Sequence, residues 1–447
     1  MTGLREIELR LKMKKRSLLL VTDSFPPGFA PRMGYFCKYL VASGRWKVDV
    51  VARSLGDTSH SETFQHLSGF ARNVWRYEVD DGIHALSFRS AIGKICRGQM
   101  AFGRAARFLA SKITYAVVGL GVGFDIRSKI REAVAHNKYD LVLASSGGGQ
   151  MSGPAFYAAR LAKIPCVLDF RDLHECHRLV VTFWHDRREW FRRKHRDGYI
   201  RRAKWLVTVI DQYVTFISAL NPNVSLVRNG YDPEVFREIL PVKADRFRLS
   251  YIGSVYDTTL WKPFSIGVQL FLDRLSKEER ECVSIDFWTT RQTFEKSICP
   301  FLGGMPESLI HYQDPVPQTE MPSVFAETSI AIDLSHNGQG FMEAVHTKLY
   351  EYFAMNRPVL NMSHRYEGDA ERMIVELNAG KVAVRAEDVA EFLHEKYLEW
   401  QANGCVRGTI PAGVAEKYSR RKLSSGFEKI LLKVCSESAD AGAGINS

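Results

Sequence analysis

Two glutamates eight positions apart, Glu343 and Glu351, bracket the stretch of this chain best suited to chemistry. Leu349, Tyr352 and Phe353 recur at helical spacing, Asn356-Arg357-Pro358 ends the pattern, and Val359-Leu360 then suits a buried strand. Gly338 and Gly340 permit a tight loop upstream, so the helix is expected to begin near His346 with free backbone N–H groups. A diphosphate sits well at such a helix start. Glu343 lies in its approach. Glu351, about two turns on and on roughly the same side, is placed to accept hydrogen bonds from paired hydroxyls, those of a ribose or a sugar. The same spacing also fits an amphipathic helix with two solvated glutamates, and the pair alone does not choose between them.

A second polar cluster, Asp169, Arg171, Asp172 and His174, follows the apolar run Pro165–Phe170 and so falls at the carboxyl end of an expected buried strand. A salt bridge between Arg171 and one of the aspartates is the structural alternative to a catalytic cleft. His174, Cys176 and His177 do not converge on one ion from a helix or a strand, so metal ligation is not expected there. Eight scattered cysteines form no C-x-x-C, and no D-x-D occurs anywhere. Reduced thiols in packing roles follow.

The elements that must carry these groups alternate along the chain. Ser17–Asp23 reads as a buried parallel strand, followed by a Pro- and Gly-rich turn, a helix through Phe36, Leu40 and Val41, and a second strand over Trp46–Arg53. Residues 55–90 lack clear periodicity and suggest an irregular excursion with one or two edge strands. Strands over Tyr139–Ser145, Pro165–Phe170, Trp205–Ile210 and Val224–Asn229 continue the first unit, with helices at Pro154–Ala162 and Asp211–Leu220. Asn229-Gly230 is a turn, with a linker expected over 237–246. A second unit opens at Phe247–Ile252 and ends in a long helix expected from about Val414 to Val434. The expected division is therefore 1–236, 247–425, and a final helix end with tail over 426–447. The length of 447 residues, with 45% hydrophobic and 25% charged content, suits two such domains.

Charge is unevenly spread. Residues 1–240 hold 38 Lys+Arg against 22 Asp+Glu, and residues 241–447 hold 23 against 28, so the halves carry +16 and −5. That asymmetry suggests an anionic surface or ligand facing the first half, nucleic acid and membrane lipid both being open on charge alone. Lys94, Arg97, Arg104, Arg107, Lys112, Arg127, Lys129 and Arg131 are interleaved with apolar and aromatic residues. Arg104–Val118 can form either a core helix with a solvated basic face or an interfacial membrane helix. A second basic run, from Arg187 through Arg192-Arg193-Lys194-His195-Arg196 to Lys204, suits a solvated helix face or contact with phospholipid or lipid-linked phosphate. No apolar run of 18 residues and no signal-peptide pattern is present, so a cytoplasmic protein, peripheral on the inner membrane face, is expected.

These stretches, in order, resemble the family 4 retaining glycosyltransferases. Thr347 to Val359 resembles T-K-L-x-E-Y-x-A-x-x-R-P-V, Asp169–His174 resembles D-x-R-D-L-W with His174 replacing the Trp, and Val227–Phe236 resembles V-x-N-G-x-D-x-x-x-F. F-P-P-G with Gly28, Arg32 and Gly34 matches the first-loop segment loosely. The resemblance implies an α/β GT-B fold, two doubly wound Rossmann-like domains facing each other across a cleft. It gives Glu351 the nucleotide ribose, Glu343 the donor sugar and diphosphate, and the Ala344–Thr347 backbone the phosphate. Arg171, Asp172 and His174 join Glu343 as catalytic candidates, and Thr347, Gly253, Gly28 and Arg32 join Glu351 as donor-binding ones. The chain departs from the family in having Gly253-Ser254 in place of Gly-Arg, and in lacking the histidine after the strand at 139–145. Phosphate neutralisation then falls to Lys262 and Lys348.

The implied reaction transfers a sugar from a UDP- or GDP-sugar to an acceptor hydroxyl with retention, without cofactor or metal. A glycan or lipid-linked acceptor and an anionic membrane surface are the expected partners, and nucleic acid is not. A GT-B nucleotide-sugar epimerase and a non-catalytic nucleotide-sugar-binding partner in polysaccharide assembly are the alternatives.

Overall fold

The computed structural model describes residues 15–28, 30–54, 64–78, 125–147, 149–173, 194, 196–335 and 344–443. Seven parallel strands build the first sheet: β1 (Arg16–Thr22), β2 (Trp46–Arg53), β3 (Asn73–Tyr77), β4 (Leu141–Ser146), β5 (Cys166–Phe170), β6 (Trp205–Thr208) and β7 (Val224–Leu226). Their order is β3-β2-β1-β4-β5-β6-β7, so the chain starts in the middle and winds outward both ways. Leu18, Leu20, Leu141 and Leu143 are fully buried, as continuous apolar runs covered on both faces require. The second sheet holds β8 (Phe247–Ile252), β9 (Val283–Trp288), β10 (Ile310–Gln313), β11 (Ile330–Leu334), β12 (Val359–Met362) and β13 (Gly380–Ala383), ordered β10-β9-β8-β11-β12-β13. Each sheet thus reverses direction once, between β1 and β4 and between β8 and β11, and ligands bind such sheets beyond the carboxyl ends at the reversal.

Among the described residues, the expected strands and helices fall within a few residues of the observed ones, with one informative break. The final helix does not start near Val414. A 3-10 turn over Val414–Tyr418 stops at Ser419, which is extended and pairs with Tyr231, and the α-helix runs from Arg420 to Ala443. The Ser419 hydroxyl accepts from the Lys422 amide at 3.2 Å, the bond of an N-cap. Gly230 makes the crossing possible: a Cβ there would lie 2.1 Å from the Tyr418 carbonyl oxygen. The helix then lies on the first domain, with Phe427 4.6 Å from Phe36 between ring centroids and the Ser43 hydroxyl donating to Glu428 at 2.7 Å.

The linker also holds the domains together. Ile239, Val242 and Ala244 donate to carbonyls of Met355, Ala326 and Gly404 in the second domain. One apolar cluster is continuous across the boundary, joining Ile210, Tyr213 and Phe236 to Leu349, Tyr350 and Phe353. Beside it lies a charged clamp. Arg228 reaches Asp369 at 3.1 Å and Asp211 at 2.7 Å, and the Asp211 amide donates to Asp369 at 2.8 Å.

Candidate functional site

The glutamate helix spans Thr347–Ala354 with His346 extended at its N-cap. Leu349, Tyr352 and Phe353 are buried as the periodicity predicts, and this apolar face sets what the other side presents. Lys348 and Glu351, three apart, share that side. The Lys348 ammonium donates to the Ile252 carbonyl at 3.2 Å, sits 3.9 Å from the Tyr251 ring centroid, and is 3.9 Å from Asp333 Oδ1. It therefore lies at the carboxyl end of β8, beside the sheet reversal. Gly253, the next residue, has φ +96°, a left-handed conformation that glycine adopts without penalty.

Asp333, at the carboxyl end of β11, anchors the cluster. Its Oδ2 accepts from the Asn361 amide at 2.8 Å, and its Oδ1 faces the His346 ring at 3.5 Å. Burial alone would raise this carboxyl, but the neighbouring His346 and Lys348 outweigh it and hold it below the ordinary range. Burial acts oppositely on Lys348, lowering its ammonium to about 8 against the pull of Asp333 and Glu351. Glu351 is 8% exposed, and its carboxyl is raised by burial despite Gln318, Arg420 and Lys348. Gln318 Nε2 donates to Glu351 Oε1 at 2.8 Å. An ammonium with a lowered affinity for its proton, a helix start and a buried carboxylate thus stand within one turn of each other. Such a set can hold a dianionic phosphate group at one end and hydroxyls at the other.

The other sequence candidates fall elsewhere. Glu343 and His174 lie outside the described residues, as do the glycines at 338 and 340. Ala344, Val345 and His346 form the approach to the helix, and Thr347 is its first residue. Lys262 is exposed near the start of the helix Trp261–Leu272. Arg32 is committed within the first domain, with its Nη2 2.7 Å from Asp169 Oδ1 and its Nη1 donating to the Arg228 carbonyl at 3.1 Å. Asp169 also accepts from the Ser145 hydroxyl at 2.8 Å. Arg171 pairs with Asp23 at 2.6 Å, joining the ends of β5 and β1, and Asp172 is exposed. The Gly28 amide closes a turn onto the Phe25 carbonyl at 3.2 Å. Among the described residues no group of three or more His, Cys, Asp or Glu side chains could hold a metal ion.

Sequence reasoning missed Asp333, Gln318 and the side chain of His346. Asp333 carries a signal, a carboxylate closing the apolar run I-A-I-D-L, whereas Gln318 sits in a loop with none. A hollow of about 230 Å³, lined in part by Tyr231, Phe236, Phe353 and Arg421, lies at the far end of the glutamate helix from Lys348.

No protein-family model and no curated protein matches the chain. Solved structures do. Sucrose-phosphate synthase from Thermosynechococcus elongatus matches with a TM-score of 0.55 at 11% identity, over 96% of this chain and 100% of that one. The lipopolysaccharide outer core galactosyltransferase WaaB matches with a TM-score of 0.53 at 10% identity, over 93% and 99%. The chain has the GT-B fold. In GT-B terms, Lys348 and Glu351 belong to the second domain, and Arg32, Asp169 and Arg171 to the first. The Arg228–Asp369 clamp spans the two.

Of the basic stretches, residues 93–124, 187–193 and 195 lie outside the described ones. Arg131 donates to the Tyr157 hydroxyl at 2.9 Å and Lys129 pairs with Glu132 at 3.2 Å. In the second run Arg196 lies over the Phe216 ring, Arg202 over Tyr199, and Lys204 meets Glu437 at 3.4 Å. Among the described residues no helix is long and apolar enough to cross a membrane.

Proposed function

We propose that this chain is a retaining glycosyltransferase that moves a sugar from a nucleotide diphosphate sugar to an acceptor hydroxyl, without a metal ion. The observation that carries the reading is the placement of Lys348 and Glu351 on one side of a helix whose start meets the carboxyl end of β8. Transfer breaks the bond between the anomeric carbon and the diphosphate, and the leaving diphosphate gains charge. Lys348 and the amides of Ala344–Thr347 would stabilise that charge, while Glu351 accepts from the ribose hydroxyls. Glu343, in the segment leading to the helix, is assigned to the donor sugar.

The acceptor is proposed to be a glycan or lipid-linked saccharide bound by the first domain, with its +16 charge docked on an anionic membrane. Slow release of free sugar from one UDP- or GDP-sugar, unchanged by EDTA, is the expected result. Interconversion of two nucleotide sugars would point to an epimerase, and no turnover at all to a binding protein. Loss of release with EDTA, restored by magnesium or manganese, would remove the metal-independent mechanism. Flotation with anionic vesicles that weakens with salt tests the docking, and absence of flotation at low salt removes it.

A further inference from the structure

The proposed ribose ligand is held by a chain of side chains that starts in the other domain. Gln318 Nε2 donates to Glu351 Oε1 at 2.8 Å, and Gln318 Oε1 accepts from the Tyr35 hydroxyl at 3.3 Å. Tyr35 lies on the helix Pro31–Ala42 of the first domain, is 1% exposed, and is fixed by the Arg420 guanidinium 4.8 Å above its ring. With Oε1 accepting from the Tyr35 hydroxyl, the NH₂ end of Gln318 faces Glu351. The carboxylate is thereby held by one oxygen, and Oε2 makes no hydrogen bond among the described residues. A buried carboxylate with one oxygen so held presents the other in a fixed direction.

We propose that Gln318 is a positioning residue for Glu351, and that the Tyr35–Gln318 contact makes the grip on the nucleotide ribose depend on how the two domains sit. This rests on the reading of Glu351 given above. When the domains separate, Tyr35 withdraws from Gln318, the amide is free to turn, and Glu351 loses its fixed donor. When they close, the relay re-forms and Oε2 is aimed again. Substrate grip and domain closure then become one event, which no residue on the glutamate helix could arrange by itself.

The test is calorimetry on the full chain with UDP and GDP, each against its 2′-deoxyribose form. Wild type is expected to favour the ribose form of one of them. In Gln318→Leu that preference should narrow by roughly tenfold, the share of one hydrogen bond to a charged group. Tyr35→Phe removes a single hydroxyl oxygen and should narrow it by a smaller factor with little risk to folding. Gln318→Leu and Tyr35→Phe proteins that both melt like wild type and keep its full ribose preference would overturn the positioning role. If Gln318→Leu does not fold, Tyr35→Phe decides alone: unchanged preference overturns the coupling and narrowed preference supports it. A wild type that binds neither nucleotide, or binds both sugar forms equally, overturns the ribose reading itself and this inference with it.

Discussion

Lys348 is the residue whose surroundings most directly foretell behaviour. Its ammonium is charged below about 8 and neutral above, because burial outweighs the pull of Asp333 and Glu351. A bound diphosphate would raise that value, so the complex takes up a proton. Affinity for UDP or GDP should therefore hold steady below about pH 8 and fall towards tenfold per pH unit above it. Lys348→Met should bind more weakly and lose this slope, and calorimetry across pH 6.5 to 9.5 measures both. Glu351→Ala should weaken the same binding by about 1.5–3 kcal/mol, the range for a hydrogen bond to a charged group. Unchanged affinity for both nucleotides would take Glu351 out of the ribose site. Glu351 was singled out in the sequence by its helical spacing, and Lys348 only as a stand-in for the arginine that Gly253-Ser254 lacks. The environments of Arg32 and Arg171 were not legible there, because their partners Asp169 and Asp23 are brought to them by strand order, not by sequence distance.

The strands and helices were legible almost throughout because parallel strands buried on both faces read as unbroken apolar runs. The exception, the break at Ser419, is set from far away. The backbone there is pulled straight by pairing with Tyr231, which helical periodicity around 414–434 cannot reveal. Gly230 is the position on which this junction turns. In Gly230→Ala the new methyl group meets the Tyr418 carbonyl oxygen, which belongs to backbone and cannot rotate away as a side chain does. A loss of roughly 1–3 kcal/mol is expected, towards the upper end, by urea denaturation. Ala should be far better tolerated at Gly69, where a Cβ meets nothing within 4 Å.

At the scale of the molecule, the clamp of Arg228, Asp211, Asp369 and Arg372 sets how firmly the domains hold one another. Burial would raise the Asp369 carboxyl, but Arg228 and the Asp211 amide overcome this and leave it below the ordinary value. Its contribution is complete above the ordinary aspartate value of about 4 and is lost as pH falls through the lowered one. Arg228→Met should cost roughly 1–3 kcal/mol, less than the 3–5 kcal/mol of an isolated buried pair, because Arg372 still faces Asp369. Small-angle scattering of that variant should show a larger radius of gyration than wild type, growing further only as pH is lowered below about 4. An unchanged radius would mean that the linker and shared apolar cluster hold the domains without the clamp.

The helix Arg420–Ala443 has a bearing on how the protein comes into being. It covers Phe36 and neighbouring apolar residues of a domain whose strands are all made before residue 227, yet it leaves the ribosome only after the entire second sheet. The first domain is thus discontinuous in the gene, and during synthesis it must wait with an uncovered apolar face while the second domain folds. A fragment ending in the linker should accordingly be prone to aggregate, and adding residues 414–443 as a separate peptide should restore its solubility. Cutting this protein between its domains would divide one of them.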